Sequence, residues 1–350
     1  MTIEQLGWGP AYAEPFEEYA AAGMAAARVV IEHRGAYVLQ GDGDQWAEMS
    51  GRLRHLARSP IDWPAVGDWV AHSNDPSAER AQIQAVLPRT SVMVRRAAGR
   101  ETVEQVIAAN VDVLFLVSSL NGDLNPQRME RYLTLAWESG ASPVVVLTKA
   151  DLCADVDSAL ALVEAVTFGV PTHVTSAPTG EGFDEVRAHL DGNRTGAAVG
   201  SSGVGKSTLI NNLLGDERLT TREIRADGRG RHTTTHRELV VLPGGGCIID
   251  TPGMRELQLW DSAEGLERAF EDVEELAAEC RFNDCLHETE PGCAVRAAIA
   301  DGRLDGGRLD SYRKLQRELA FMQAKDDKRA RSEARKRWAA LDKASRTDVY

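Results

Sequence analysis

The chain has 350 residues and a mass of 38.1 kDa, with 43% hydrophobic and 27% charged positions and a net charge of −13 at pH 7. That composition supplies cores for two or three domains and excludes a disordered chain, a collagen and a disulfide scaffold. The acidic balance argues against a protein that coats nucleic acid indiscriminately, while leaving room for local basic surfaces.

Residues 1–27 read as an N-terminal extension with four acidic side chains and no Lys or Arg, unlike the basic-then-apolar pattern of a secretory leader. No apolar run approaches the roughly 20 residues of a membrane helix. Five Cys is an odd number for a disulfide framework. The expectation is a cytoplasmic protein with no membrane partner.

Residues 28–97 carry short alternating segments, Ala27–Ile31, Gly35–Leu39, Gly67–Ala71 and Ala81–Leu87, separated by turn signals at Gly41–Asp44 and Ser73–Pro76. Several short strands in about 70 residues predict a small β-barrel, an OB-fold or another five-stranded β-domain. Ten Arg against eight acids between residues 28 and 100, with Tyr37, Trp46, Trp63 and Trp69, would suit RNA if some aromatics face outward.

Residues 98–258 change texture. Apolar runs at Val111–Ser118, Pro143–Leu147, Thr172–Ser176, Ala197–Val199 and Cys247–Ile249 alternate with helical patterns such as Gln127–Ser139 and Ser207–Leu214. This predicts a parallel sheet covered on both faces. Residues 259–350 are predicted helical, with Ala263–Glu279 amphipathic and a basic tail over residues 325–337. The fold class expected is therefore multidomain α/β.

The basic residues comprise 33 Arg and seven Lys, and only Lys149 and Lys206 precede residue 314. Each falls inside a motif. Thr148-Lys149-Ala150-Asp151 follows one predicted strand, and Thr175-Ser176-Ala177 closes another. An Asp carboxylate accepts two hydrogen bonds from guanine N1–H and N2, a donor pair adenine lacks, and Lys149 can lay its stem across a base. In isolation the tetrad also suits a surface Lys and a capping Asp. Gly200-Ser201-Ser202-Gly203-Val204-Gly205-Lys206-Ser207 matches G-x-x-x-x-G-K-[ST] in full, after an apolar strand and at the opening of a helix through Thr208. Its glycines let backbone N–H groups curl around phosphates, Lys206 reaches the β- and γ-phosphates, and Ser207 can ligate Mg²⁺. Cys247–Asp250 is an apolar strand ending in a carboxylate, suited to a water-mediated Mg²⁺ contact, followed by Thr251-Pro252-Gly253. The Gly253 N–H can sense a γ-phosphate. Met254 comes next, and a thioether cannot orient a water as a Gln does, so slow intrinsic hydrolysis is expected. Cys280, Cys285, His287 and Cys293, spaced C-x₄-C-x-H-x₅-C, satisfy one closed tetrahedral Zn²⁺ site, with unliganded thiols as the alternative. Cys153 and Cys247 read as packing residues.

Together these motifs resemble the G1, G3, G4 and G5 signatures of GTPases, but in the order T-K-A-D, T-S-A, G-S-S-G-V-G-K-S, D-T-P-G, a circular permutation. Such a domain behind a β-barrel and before a Cys/His cluster resembles the RsgA (YjeQ/YloQ) family of small ribosomal subunit biogenesis GTPases. The likeness extends to Pro64–Val70, Gly230-Arg231-His232-Thr233-Thr234-Thr235 and Cys280–Val295. It implies an N-terminal OB-fold that binds RNA, a circularly permuted P-loop GTPase domain and a C-terminal helical zinc-binding domain. It further implies hydrolysis of GTP to GDP, stimulated by the small ribosomal subunit and its rRNA, by a monomer in late subunit assembly. The expected catalytic groups are His232, Lys206 and Thr234, with Ser207, Thr234 and Asp250 around Mg²⁺. The family commonly has Asn where this chain has Thr148. Two rival readings are an RNA-binding scaffold with negligible hydrolysis, favoured by Met254, and a P-loop kinase or ATPase, opposed by Asp151 with T-S-A. The five Arg from Arg222 to Arg237 fit either rRNA contact or solvation.

Overall fold

The computed structural model describes residues 2–33, 35–41, 43–73, 79–97, 103–215, 237–250, 263–321 and 324. They fall into two compact units, residues 1–258 and 259–350.

The first unit opens with a 3-10 turn, Glu4–Leu6, and a helix, α1 (Pro10–Ala21), with Pro10 in the first turn, where the missing N–H has no intrahelical partner to lose. Strands β1 (Ala25–His33), β2 (Ala36–Gln40) and β3 (Asp44–Met49) form an antiparallel meander. A short helix, α2 (Gly51–Leu56), is capped by Ser50, whose hydroxyl accepts from the Leu53 N–H at 3.1 Å. Strands β4 (Trp69–Ser73) and β5 (Ala81–Val86) follow. The order β1-β2-β3-β5-β4, closed by a β1–β4 pairing and with β3 parallel to β5, is an OB-type barrel. Alternate residues point inward, and Val29, Tyr37, Leu39, Ala47, Val70 and Ile83 fill its core.

Strand β3 is absent from the sequence reading, which placed a turn up to Asp44. Its D-Q-W-A-E-M segment has no β-branched residue, and pairing with β2 and β5 holds it extended. The aromatics divide as the barrel requires: Tyr37 and Trp69 are buried, whereas Trp46 and Trp63 are half exposed. Residues 1–27 are not a loose extension. Trp8 meets Trp69 edge-on at 4.7 Å and Tyr12 lies 5.8 Å from the same ring, so α1 covers the barrel.

Strand β6 (Val92–Ala97) falls inside the 28–97 span expected for the barrel but pairs with β7 (Val103–Ala109) in a separate two-stranded sheet. Beyond it runs the predicted α/β sheet. Its strands are β8 (Val113–Ser119), β9 (Ser142–Thr148), β10 (Thr172–Val174), β11 (Thr195–Val199), β12 (Glu238–Val241) and β13 (Cys247–Asp250), in the order β10-β9-β8-β11-β13-β12. All but β12 are parallel. Every residue of β8 is buried, as expected of an apolar strand covered on both faces. Helices α3 (Pro126–Ser139), α4 (Val156–Glu164), α5 (Phe183–Ala188) and α6 (Lys206–Leu214) connect the strands. Ile31 of β1 also pairs with Glu238 of β12, so barrel and α/β sheet share one hydrogen-bonded sheet.

The second unit holds α7 (Ala263–Ala269), α8 (Glu271–Ala278), α9 (Ala294–Ala300) and a helix over residues 306–321. The amphipathic stretch read as one helix over 263–279 breaks at Phe270 (φ −125°, ψ 36°), whose buried ring lies under the Arg308 guanidinium at 4.5 Å. Arg308, itself buried, holds both oxygens of Asp272 at 2.7 Å.

Candidate nucleotide and metal sites

Strand β11 delivers the phosphate loop at its C-terminal end. A Cβ on Gly200 would sit 2.3 Å from the Val117 carbonyl oxygen, so only glycine lets the loop leave this close to β8. Gly205 turns the chain into α6 at φ +101°, and Lys206 and Ser207 occupy the first turn of that helix. The Lys206 ammonium spans the loop, donating to the Gly200 and Ser201 carbonyls at 2.7 and 2.6 Å.

T-K-A-D and T-S-A converge on this loop although they lie 23 to 52 residues before its first glycine. Thr148 ends β9 and donates to the Val204 carbonyl. Lys149, in the left-handed region at φ +61°, donates to the Gly203 carbonyl at 2.7 Å. Asp151 accepts from the Ser176 hydroxyl at 3.1 Å, and Ala150 N–H donates to the Thr175 carbonyl, so T-K-A-D and T-S-A form one surface. Parallel pairing of β13 with β11 sets Asp250 at the end of the neighbouring strand, on the edge where the phosphate loop begins. Ala177, Ser202 and Thr208 accompany these residues in the same loops and in the first turn of α6.

His232, Thr234, Gly253 and Met254 lie outside the described residues, as do Arg222 to Arg231 and the basic tail.

One contact had no signature in the sequence. Arg128, in the first turn of α3, donates to the Ser201 hydroxyl at 2.5 Å and pairs with Asp123 at 2.7 Å. A lone Arg in a helix carries no spacing pattern, and only the fold brings it to the phosphate loop.

In the second unit Cys280, Cys285, His287 and Cys293 bring their ligand atoms within 4.8 Å of one another. The Cys280 and Cys293 sulfurs are 3.9 Å apart, and each lies 3.5 Å from His287 Nδ1. A tetrahedral ion with metal–sulfur bonds of about 2.3 Å and metal–nitrogen bonds of about 2.0 Å separates such atoms by about 3.8 and 3.5 Å. The donor set therefore fits a metal. Burial and the nearby Arg313 hold the His287 imidazole below its ordinary range, favouring the neutral form that ligates. Cys293 also caps α9, accepting from the Arg296 N–H at 3.4 Å. No cysteine is in a disulfide; Cys247 is buried and Cys153 half-buried, apart from the cluster.

Residues 86–260 match the family model described as RsgA GTPase. The chain is 49% identical over 323 residues to "Small ribosomal subunit biogenesis GTPase RsgA 2" of Lactiplantibacillus plantarum, covering 92% of this chain and 91% of that one. It is 46% identical to the RsgA of Opitutus terrae, covering 99% of this chain and 97% of that one. Among solved structures, YjeQ from Thermotoga maritima superposes with a TM-score of 0.65 at 27% identity over 85% of this chain and 99% of its own. YloQ, titled a circularly permuted GTPase, gives a TM-score of 0.61 at 26% identity over 85% and 96%.

Proposed function

This chain belongs to the RsgA family of GTPases, and from that premise we propose that it binds the small ribosomal subunit late in assembly, hydrolyses GTP there and departs as the GDP form. The observation that carries the reading is the meeting of T-K-A-D with the phosphate loop, through Thr148 and Lys149, and with T-S-A, through Asp151 and Ser176. That arrangement sets a base subsite beside a phosphate subsite in one set of loops.

In this reading Asp151 accepts the guanine N1–H and N2 donors, and Ser176 orients its carboxylate. Lys206 transfers its ammonium from the Gly200 and Ser201 carbonyls to the β- and γ-phosphates. Ser207 and Thr234 would hold Mg²⁺, with Asp250 behind them; the ion supplies neutralisation of charge developing on the phosphates. His232 orients the water, a role taken from the family resemblance, and the Gly253 N–H meets the γ-phosphate. Because Met254 offers no group to hold that water, the subunit completes the site. Zn²⁺ at Cys280, Cys285, His287 and Cys293 pins a helical unit whose core is small. The barrel of β1 to β5, the GTPase domain and the zinc domain at 259–350 act as one monomer in the cytoplasm. No described helix is long and apolar enough to cross a membrane.

Turnover of GTP and ATP, each with and without purified small subunits, tests the proposal. Strong stimulation of GTP turnover alone is expected. Equal GTP turnover in both conditions refutes ribosome activation and leaves the nucleotide-regulated scaffold.

A further inference from the structure

Arg128 meets the phosphate loop at Ser201, its second residue, from a platform that is itself fixed. It lies in the first turn of α3, where the Asn125 side chain caps the helix by accepting from the Arg128 N–H at 3.0 Å. Met129, Leu133 and Ala136 bury the same helix in the core. One guanidinium nitrogen, Nη1, donates both to Asp123 at 2.7 Å and to the Ser201 hydroxyl at 2.5 Å. Asp123 is rooted in turn, its carbonyl accepting from the Ser118 hydroxyl at the end of β8 at 3.4 Å.

A guanidinium only donates, so Ser201 Oγ accepts from Arg128 and keeps its own proton for the Tyr132 hydroxyl, its partner one turn further along α3. The Ser201 side chain is thus held from α3 alone. Its main chain is held separately by Lys206, which donates to the Ser201 carbonyl at 2.6 Å. When Lys206 moves to the phosphates, that second hold ends. The hold from α3 persists, because nothing in it belongs to the loop except Ser201 itself.

We propose that Arg128 is a positioning residue for nucleotide binding: it holds Ser201 so that the phosphate loop keeps its shape once Lys206 has left the Ser201 carbonyl. This rests on the reading of residues 200–207 as the loop that takes the phosphates. A loop already held in one conformation loses less freedom when a ligand fills it, whichever ligand that is. Arg128 therefore acts on GDP and GTP alike and leaves the chemical step to other groups, because uniform binding changes KM and not kcat.

Equilibrium competition against a fluorescent GDP, together with steady-state GTP turnover, tests this on the full chain. Arg128→Met removes the donors at a site where the side chain is 35% exposed, so the fold tolerates it. Affinity for GDP and for GTP should each fall about tenfold, and KM should rise while kcat stays within about twofold of the parent. Ser201→Ala, which reaches the same contact from the loop side, should weaken both nucleotides to a similar extent. The double variant should lose no more than either single one, because both remove one interaction. Parental affinity in Arg128→Met or in Ser201→Ala overturns the proposal, and so does a double variant that loses the product of the two single losses. A loss confined to GTP with a fall in kcat also overturns it, since that pattern belongs to a guanidinium acting on the γ-phosphate directly. Lys206→Ala checks the premise separately: undiminished nucleotide binding in that variant removes the phosphate-loop reading, and the proposal with it, whatever Arg128→Met shows.

Discussion

Arg28 is the most consequential side chain outside the nucleotide site, and Arg28→Met is the substitution that tests it. The guanidinium is 1% exposed and lies 5.5 Å from the centre of the Trp69 ring. Its Nε donates to the Gly67 carbonyl at 3.1 Å, Nη2 to the Asn110 carbonyl at 3.1 Å, and Nη1 to the Thr195 hydroxyl at 2.8 Å and to the Leu6 carbonyl. One planar fork thereby joins the N-terminal turn, the barrel, the end of β7 and the first residue of β11. Hydrogen bonds from a charged donor contribute about 1.5–3 kcal/mol each, so four amount to about 6–12 kcal/mol gross. Taking the charge out of water opposes this by several kcal/mol. The net loss expected on removal is about 3–5 kcal/mol, the range for breaking a buried charged network. At roughly 2–4 °C per kcal/mol for a unit of this size, the first unit should melt roughly 10 °C lower. Calorimetry on the full chain reads this directly. GTP affinity measured well below the transition should not change, because Thr195 and Gly200 are at opposite ends of β11, about 16 Å apart. A melting temperature within 2 °C of the parent would refute the reasoning, since it would mean that the four acceptors find other partners when the fork is gone.

Three further outcomes follow from other sites. Gly67 has φ +95° and a Cβ there would lie 2.1 Å from the Ala109 carbonyl oxygen, whereas Gly35 has φ +86° and open space around it. Gly67→Ala should destabilise by more than about 3 kcal/mol and Gly35→Ala by about 1 kcal/mol, compared by urea denaturation. His173 and His189 meet Nε2 to Nε2 at 2.7 Å, and burial lowers both pKa values, with His173 and Arg194 adding repulsion on His189 and Glu185 opposing the shift on His173. A folded pKa below the ordinary value of about 6.5 means the unfolded chain takes up protons first, so stability is full above pH 7 and falls as pH drops through 6.5. Melting temperatures from pH 8 to 5 should show a steeper decline for the parent than for a His173→Gln/His189→Gln double variant. Cys285→Ser should lower bound zinc, measured by atomic absorption, from one ion per chain towards none and reduce the melting temperature of the second unit, while GTP binding persists.

The phosphate loop was legible because phosphate chemistry demands glycines, a Lys and a hydroxyl at short fixed intervals, and the Cys/His cluster because four donors fall within fourteen residues. The parallel strands were legible from apolar runs, and their observed limits differ from the expected ones by a residue or two, as at β9 and α6. Strand β3 was not, because it follows a turn signal and has no β-branched residue, and its extended form comes from its neighbours. Helix α1 was hidden for a related reason: its aromatic residues gain their meaning only against Trp69, far along the chain.

What the sequence by itself supplied was the inventory of chemical groups: a phosphate-loop motif, a carboxylate proposed to select the base, four residues that could hold a metal, and the permuted order in which they come. Those signals are local, because the residues of each motif lie within a few positions of one another. Tertiary structure alone decided where the protons and charges go. Thr148 spends its hydroxyl on Val204, Arg128 reaches Ser201, and Arg28 joins segments as far apart as Leu6 and Thr195. Burial and hydrogen-bond partners are set by neighbours distant in the chain, and no pattern of nearby residues encodes them.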